Sequence, residues 1–423
     1  MHRAASPATN QSETYWDIVW KQFKNNRYAY AAFWSLAPLV AVAIFAPLIC
    51  SNLPLVFWDG QVSLYPWFRG LFNQPEPVDF LFNMALVGFP IWLPLAFFQN
   101  VRWRRRGIST EGRLLRVLIA YGLVTVLLCV AFSIAALRPS NIYKSRTFTA
   151  EEFASQGVKH GNYVLIPFGP TEQDLVGATF KKPLFVKPLS ARDNSNDGFP
   201  RLLGTDNTGR DVFARMVYGT RISITVGLAA VGIYLTIGCI VGALAGYFGG
   251  TLDMLISRVI EIVLLFPSFF LILTLVALIG PSIYVIMFVI GITGWPTIAR
   301  LIRGEILKQR ASDYVSAAQA LGFSSGRVIF RHILPNSLSP ALVAAPFGIA
   351  GAIITEAGLS LLGFGVRPPA PSWGSVLKLG SENYLYWWLV LVPSLAIFFT
   401  VTVFNLIGSG LRDAMDPRLR STR

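Results

Sequence analysis

Charged residues are scarce in this chain. They make up 14% of its 423 residues, against 53% hydrophobic residues, whereas a soluble domain carries about 25% charged residues. This scarcity excludes an ordinary soluble protein. The apolar residues also occur in long runs, and a helix needs about 20 such residues to cross a hydrocarbon layer about 30 Å thick. The composition therefore predicts an all-α, polytopic helical membrane protein.

Cysteine and histidine are also rare, with three of each. Cys129 and Cys239 lie inside apolar runs and Cys50 lies at the edge of one, without the spacing of a metal site. The sequence pairs no nucleophile with a base, as a membrane-embedded hydrolase would require. It also lacks a phosphate-binding G-x-x-x-x-G-K-[ST] loop. We therefore expect neither catalytic residues nor metal ligands in this chain.

Acidic residues are too few to balance the basic ones, and the net charge is +14. The basic residues cluster beside the apolar runs, where they set membrane topology and attract anionic headgroups. We therefore expect contact with membrane lipid and no nucleic-acid partner.

Eight apolar runs predict membrane-spanning helices. The first run is too long for the apolar part of a signal peptide, and residues 1–27 before it are polar, so we interpret it as an uncleaved span. The predicted spans cover residues 28–49, 81–98, 114–137, 222–247, 254–279, 283–301, 341–362 and 386–407.

Basic loops orient these spans. The strongest lies between the second and third spans, where six arginines face Glu111 alone, which indicates the cytoplasmic side. Basic residues before the first span, between residues 300 and 331 and in the tail 412–423 agree. Both termini are then cytoplasmic, residues 138–221 form an extracytoplasmic loop or small lobe, and residues 222–411 form the main helical core. The six arginines are Arg102, Arg104, Arg105, Arg106, Arg113 and Arg116.

Residues 310–340, between the sixth and seventh spans, have the pattern of two short cytoplasmic helices. Ser312 or Asp313 is suited to begin the first helix and Gly322 to end it in the left-handed conformation. Pro335 is expected to stop the second helix. In the first helix Tyr314, Ala317, Ala318 and Leu321 form one apolar stripe. Spacing alone favours equally a helix in a partner's groove and a helix lying on the bilayer.

A family resemblance decides between these alternatives. SAAQALG (316–322), followed by HILP (332–335), resembles the EAA loop of ATP-binding-cassette importer permeases. In that family the loop forms the coupling helix, which docks into a nucleotide-binding subunit. Ser316 stands where the family usually has glutamate, and His332 where isoleucine is common. The resemblance implies a coupling surface made of Tyr314, Ser316, Ala317, Ala318, Leu321 and Gly322.

Further motifs extend this resemblance over residues 202–420. The segments at 202–227, 245–253, 264–268, 294–307, 359–377 and 411–420 resemble, in order, those of the dipeptide and oligopeptide permease class. More weakly, WKQFKNNRYAYAAFW (20–34) and DYVSAAQALG (313–322) look like the branch that imports longer peptides and microcin-type compounds. The resemblance implies a type I importer permease fold that translocates peptides by alternating access. It also implies a second, different permease subunit, one or two ATP-binding subunits that hold ATP and Mg²⁺, and an extracytoplasmic substrate-binding protein.

The sequence departs from that family in one respect, because family members usually have six spans. The extra N-terminal transmembrane hairpin at 81–137 adds two crossings and leaves the coupling loop on the cytoplasmic side. The alternative, a secondary transporter driven by an ion gradient, requires intramembrane carboxylates. Glu261 and Glu356 are the candidates for that role.

Four residues within the spans are candidates for a gate or cavity. Glu261 is three residues from Arg258 and is expected to pair with it. Glu356 has no obvious local partner, and either contacts a polar cavity or reaches the outer headgroups. Pro267 and Pro296 interrupt their spans, which frees backbone carbonyls for a path or simply kinks the helix.

Gly238, Gly242 and Gly246 recur every four residues in the fourth span. Such a ridge of small residues lets a second helix approach closely. Packing within the subunit and packing against another subunit both fit this pattern.

Overall fold

The structure, a computed structural model, is a bundle of long helices. Among the residues that the structure describes, seven helices are long and apolar enough to cross a membrane, and a bent pair makes up an eighth candidate. This confirms the predicted all-α, multi-pass architecture. The structure describes residues 15–58, 63–74, 76–105, 110–134, 137–139, 162–175, 177–187 and 198–416.

The helices that precede the main core are α1 (Tyr15–Asn25), α2 (Arg27–Ile49), α3 (Pro66–Gly70), α4 (Pro77–Arg105) and α5 (Thr110–Ser133). The core contains α6 (Val212–Phe248), α7 (Gly250–Leu265), α8 (Ser268–Ile279), α9 (Ile283–Arg310), α10 (Asp313–Ala320), α11 (Ser325–Arg327), a π-helical turn (Val328–Ile333), α12 (Leu334–Ser337), α13 (Ser339–Leu361), α14 (Trp373–Glu382) and α15 (Trp388–Met415). The described residues also include two short antiparallel strand pairs, β1 (Phe57–Trp58) with β2 (Ser63–Leu64) and β3 (Phe185–Val186) with β4 (Pro200–Arg201).

The bundle has two ends, which we name after the segments they carry. The loop end carries residues 310–340, between α9 and α13. The lobe end carries the described residues 162–211 before α6.

The glycine ridge of α6 packs against α9 within the chain. A methyl group added to Gly242 would lie 2.5 Å from the carbonyl oxygen of Ala299, and one added to Gly246 would lie 2.8 Å from that of Arg303. Only glycine allows this approach. The ridge therefore serves helix packing inside the subunit.

The predicted fifth span is broken. α7 and α8 meet at an angle of 85°, because Pro267 favours an extended conformation at the preceding Phe266 (φ −80°, ψ 132°). At its start, α7 is tied to the loop end by the Asp253–Arg303 pair. Val276 of α8 packs with Ile283, at the start of α9. The bent pair therefore connects the two ends of the bundle.

The predicted polar segment 1–27 contains a helix, α1, that packs on the C-terminal end of α15. The ring of Phe23 lies so close to Gly410 that an added methyl group would be 3.1 Å away, and Asn26 Nδ2 donates to Asp413 Oδ2 at 3.2 Å. The start of α2 and the end of α15 therefore lie at the same end of the bundle. That arrangement agrees with an even number of crossings.

The fourth span begins earlier than its hydropathy predicts. Residues 212–221, assigned above to the extracytoplasmic lobe, form the first turns of α6, whose N-cap is Asp211. Two arginines in these turns, Arg215 and Arg221, lowered the hydropathy. Both are buried and paired with aspartates. The described part of the lobe packs on the start of α15, where Trp388 Nε1 donates to the Thr205 carbonyl at 3.2 Å.

The extra hairpin is confirmed as α4 and α5, with bounds shifted from the predicted 81–137. Tyr121 Oη of α5 donates to the Ala85 carbonyl of α4 at 2.8 Å. Asp79 at the start of α4 accepts a hydrogen bond from Arg221 Nη1 at 2.9 Å. This buried ion pair ties the hairpin to α6.

Arg221 also compensates for a proline. Pro47 has no N–H, so the Ala43 carbonyl in α2 lacks its usual helical donor. Arg221 Nε donates to that carbonyl at 2.7 Å. One side chain thus joins α2, α4 and α6.

Candidate functional site

The segment between α9 and α13 contains the predicted pair of short helices. α9 continues to Arg310, and Ser312 in an extended conformation precedes α10. Ser312 Oγ donates to the Gln309 carbonyl at 2.5 Å instead of capping α10. Gly322 has φ +74°, which confirms the left-handed end of the helix.

The structure divides the predicted apolar stripe of α10 between two faces. Leu321 is 73% exposed and Tyr314 is 39% exposed, and Ser316, Ala317 and Gly322 are exposed as well. Ala318 is buried, and with Val315 it packs into the chain's own core. The expectation that Ala318 belongs to a docking face is therefore wrong, because one side of α10 is needed to hold the helix in place.

Side-chain bonds fasten α10 to the longer helices. Gln319 Nε2 donates to Tyr247 Oη, at the end of α6, at 3.2 Å. Tyr314 Oη donates to Gln309 Oε1, in the last turn of α9, at 3.1 Å. The Arg310 guanidinium lies 6.0 Å above the Tyr247 ring. A displacement of α10 would therefore be transmitted to the loop ends of α6 and α9.

The second helix of the loop does not stop at Pro335. The chain stays helical to Ser337 and widens into the π-helical turn before the proline. In that turn Leu334 N–H donates to the Ile329 carbonyl, five residues back. The wider turn accommodates Pro335, which has no N–H for the usual bond.

His332 lies inside this loop rather than on its exposed face. The His332 ring stacks on the Phe323 ring, with centroids 5.6 Å apart. The Arg327 guanidinium lies 5.2 Å from the centroid of the Phe323 ring. His332 therefore helps to hold the two halves of the loop together.

The four gate candidates occupy different environments. Glu261 is largely exposed and accepts a hydrogen bond from Arg258 Nη1 at 2.7 Å, which confirms their pairing. Pro267 stands at the α7–α8 bend, whereas Pro296 is buried in α9, which stays helical around it. Two cavities lie at the lobe end, one lined in part by Trp67, Asp79 and Tyr218 and the other by Arg215, Arg367 and Lys378, and the four candidates line neither of these two.

Glu356 is fully buried and does not reach the headgroups. Its Oε1 accepts hydrogen bonds from Ser360 Oγ, one turn on, and from Ser372 Oγ, each at 2.8 Å. The expectation that it lacks a local partner is therefore wrong. Ser372 also caps α14, so Glu356 joins the end of α13 to the start of that helix.

A buried charge cluster before α6 was not predicted from the sequence. Asp206 Oδ2 accepts hydrogen bonds from Arg210 Nε at 2.7 Å and from Arg215 Nη1. Burial opposes ionisation of Asp206, but Arg215 and Arg210 outweigh it, so its pKa is lowered. The spacing of Asp206 and Arg210, four residues apart in TDNTGR, was the signal available in the sequence.

Asp211 caps α6. Its Oδ1 accepts a hydrogen bond from the Ala214 N–H at 2.8 Å. Burial raises its pKa from 3.8 to about 6, against the lowering effects of that hydrogen bond and of Arg201.

Two family models match separate parts of the chain. One describes the inner membrane component of binding-protein-dependent transport systems and matches residues 238–421. The other describes the N-terminal transmembrane domain of oligopeptide transport permease C and matches residues 14–61. The extra hairpin α4–α5 lies between the two matched ranges.

Curated relatives cover the same core. The dipeptide transport system permease protein DppC of Alkalihalophilus pseudofirmus is 44% identical over 220 residues, which are 52% of this chain and 72% of the relative. The oligopeptide transport system permease protein OppC of Bacillus subtilis is 40% identical, over 51% of this chain and 72% of the relative. Among solved structures, the inward-facing MetNI methionine ABC transporter matches 47% of this chain and 96% of its own, with 16% identity and a TM-score of 0.40.

These observations define a multi-pass membrane subunit of a transporter. The chain belongs to the family of inner membrane components of binding-protein-dependent transport systems. It is an importer permease of the ATP-binding-cassette type.

Proposed function

We propose that this permease moves peptides or peptide-like compounds across the inner membrane by alternating access, driven by a separate ATPase. The observation that carries the proposal is α10, which has an exposed face on one side and bonds to α6 and α9 on the other. The relatives named for dipeptide and oligopeptide transport support the substrate class.

The ATPase would dock on the exposed face of α10. Ser316, Ala317 and Leu321 lie on that face, and Leu321 offers an apolar contact for a groove. ATP and Mg²⁺ belong to that subunit in this proposal. Closure of the ATPase on nucleotide would push α10 and, through Gln319 and Tyr247, the end of α6.

The other partners follow from the family. A second, different permease subunit would complete the translocation path, and an extracytoplasmic binding protein would deliver the substrate to the lobe end. Substrate shifts the transporter between its two states only as far as it binds one of them more tightly.

We place the loop end of the bundle on the cytoplasmic side of the membrane, where the ATPase would dock, and the lobe end on the opposite side. Both termini lie on the same side, since α1 packs on the end of α15. The bent pair α7–α8 counts as one crossing, which gives eight. The arginine-rich connection between α4 and α5 is then cytoplasmic as well, as the positive-inside rule requires.

The ion-driven alternative has less support. It needs carboxylates that face a path and change their protonation. Glu261 is exposed and paired with Arg258, and Glu356 is enclosed by two serines. Neither carboxylate is therefore placed as expected for a site that couples transport to the movement of an ion.

The exposed face of α10 can be tested with Ala317→Arg in the chain co-expressed with its neighbouring genes. Ala317 is exposed, so we expect normal folding, judged by the elution profile in detergent. Binding of the ATPase and substrate-stimulated ATP hydrolysis should fall at least tenfold. Asn25→Arg, an exposed position at the end of α1, adds the same charge elsewhere and serves as the control.

Two outcomes are informative. Unchanged assembly and hydrolysis in the Ala317→Arg complex would show that α10 is not the docking element. An equal loss in the Asn25→Arg control would mean that added charge at this end, rather than the α10 face, is responsible. Ala318→Arg is unsuitable for this test because that side chain is buried in the core.

A further inference from the structure

A small cavity at the lobe end is lined with basic side chains. It has a volume of about 160 Å³ and lies between the start of α6, the linker after α13, and α14. Arg210 directly precedes α6 and Arg215 lies in its first turns, whereas Arg367 comes from the linker and Lys378 from α14. Ser360 and Ser375 add hydroxyl groups to the lining.

Positive charge exceeds negative charge around this cavity. Four cationic side chains line it, and Glu382 is the carboxylate in the lining. Glu382 lies 3.7 Å from Lys378 Nζ. Asp206, behind the lining, is shared by Arg210 and Arg215. The four cations therefore exceed the two carboxylates, Glu382 and Asp206, by two positive charges among the described residues of this region.

Arg215 is the most constrained of these cations. It is 3% exposed, and its Nη1 donates to Asp206 and its Nη2 to Ser375 Oγ at 3.4 Å. Its Nε is buried and has no hydrogen-bond partner among the described residues. Buried guanidinium groups normally satisfy all their N–H donors. Arg215 therefore brings a buried, incompletely hydrogen-bonded cation to the wall of the cavity.

We propose that this cavity binds a carboxylate group of the transported peptide. The proposal rests on the proposed function above. Arg215, Arg367 and Lys378 would hold the carboxylate oxygens, which guanidinium and ammonium groups bind through charge-assisted hydrogen bonds. A cavity of roughly 150 Å³ can hold a benzene molecule, so this one has room for a carboxylate and its adjoining residue but not for a whole oligopeptide.

The position of the cavity fits a contact made early in transport. Arg367 stands on the linker after α13, and Ser360 on the cavity wall donates to the buried Glu356. Glu356 in turn joins α13 to α14 through Ser372. A carboxylate in the cavity would therefore bridge α6 to the α13–α14 connection.

The oxyanion chemistry of a carboxylate is shared with the phosphate of a lipid headgroup, so the test separates the two sources. The complete transporter is reconstituted in nanodiscs of phosphatidylcholine, with and without phosphatidylglycerol. Binding of trialanine, of trialanine amide and of inorganic phosphate is measured by calorimetry. We expect trialanine to bind at least tenfold more tightly than its amide, in both lipid compositions.

The variant Arg367→Gln with Lys378→Gln should remove that preference. Both side chains are at least partly exposed, and neither makes a buried ion pair, so the fold is retained. Lys182→Gln, on an exposed lysine of the lobe, removes one charge from the same end and should bind trialanine as the wild type does. Arg210 and Arg215 are left unchanged because they form the ion pairs of the buried Asp206 carboxylate.

Equal binding of the acid and the amide by the wild type would overturn the proposal. So would binding of phosphate alone, or a preference that the double variant retains. Uptake by proteoliposomes separates this result from the proposed function. A wild-type transporter that imports neither peptide contradicts the function itself, whereas import of both peptides at equal rates by wild type and double variant contradicts only the carboxylate site.

Discussion

The two ends of this bundle are stabilised by different interactions. At the lobe end, charged groups are buried and bonded to one another, as in Asp79–Arg221 and Asp206–Arg215. At the loop end, helices meet through glycine and branched apolar residues, and the ion pairs are partly or largely exposed, as in Arg258–Glu261. The comparison indicates that the lobe end depends on specific polar partners, whereas the loop end depends on shape.

The largest effect is expected from Asp79→Ala. It leaves the Arg221 guanidinium buried without its carboxylate, which costs about 3–5 kcal/mol in the free energy of unfolding. The midpoint of thermal unfolding in detergent measures this loss. Asp79→Ala combined with Arg221→Met should recover part of it, since no uncompensated charge remains. If Asp79→Ala alone were as stable as the wild type, the contrast between the two ends of the bundle would lose its basis.

A pH effect of intermediate size is expected from Asp211. Its pKa is raised from 3.8 to about 6 in the folded protein, so the protonated carboxyl is favoured there. This preference of the folded state for the protonated Asp211 carboxyl adds about 3 kcal/mol to the free energy of unfolding. The added stability is fully present below pH 3.8 and is lost as the pH rises through 6.

The measurement is the thermal midpoint between pH 8 and pH 5, for the wild type and for Asp211→Asn. Asparagine also caps helices well but does not titrate. The wild type should gain stability relative to the variant as the pH falls through 6. Parallel curves for the two proteins would show that Asp211 is not the group responsible.

At the loop end, Gly242→Leu should destabilise the chain by about 1–3 kcal/mol, because the larger side chain cannot fit against α9. The fraction of chain that remains folded after mild heating in detergent reports this change. Gly232→Leu is the matched control, since nothing lies within 4 Å of a methyl group added there. A similar loss in both variants would indicate an effect of leucine on α6 itself rather than on packing.

The smallest effect is expected from Arg258→Gln. Arg258 and Glu261 are 73% and 53% exposed, and such pairs contribute about 0–1 kcal/mol. The isolated chain should therefore unfold at nearly the wild-type temperature. A clear loss in the isolated chain would show that the loop end also relies on ion pairs and would weaken the comparison.

The sequence predicted most of the fold because long apolar runs leave few alternatives. The extra hairpin, the left-handed Gly322 and the close-packed glycines were all predicted from local patterns. An interruption at Pro267 was predicted as well, but its angle of 85° was not, since hydropathy reports apolar length and not direction. The early start of α6 was missed because Arg215 and Arg221 look unfavourable until their distant partners are known.

The site was predicted less completely. Spacing placed Ala318 in the same stripe as Ala317, but only the packing of α10 on the core shows which alanine faces outward. Glu356 looked isolated because one of its partners, Ser372, lies 16 residues away on another helix. The basic cavity combines residues from three elements, and no local pattern brings them together.

The Arg221–Asp79 bond has a consequence for how this protein can be divided or shortened. Its two residues are 142 positions apart in the chain, so any fragment that ends between them contains an aspartate whose cation has not yet been made. A ribosome synthesising the protein passes through that stage every time. Two co-expressed fragments split within residues 140–161 would each carry one half of the ion pair, and their reassembly would be a direct assay of the bond.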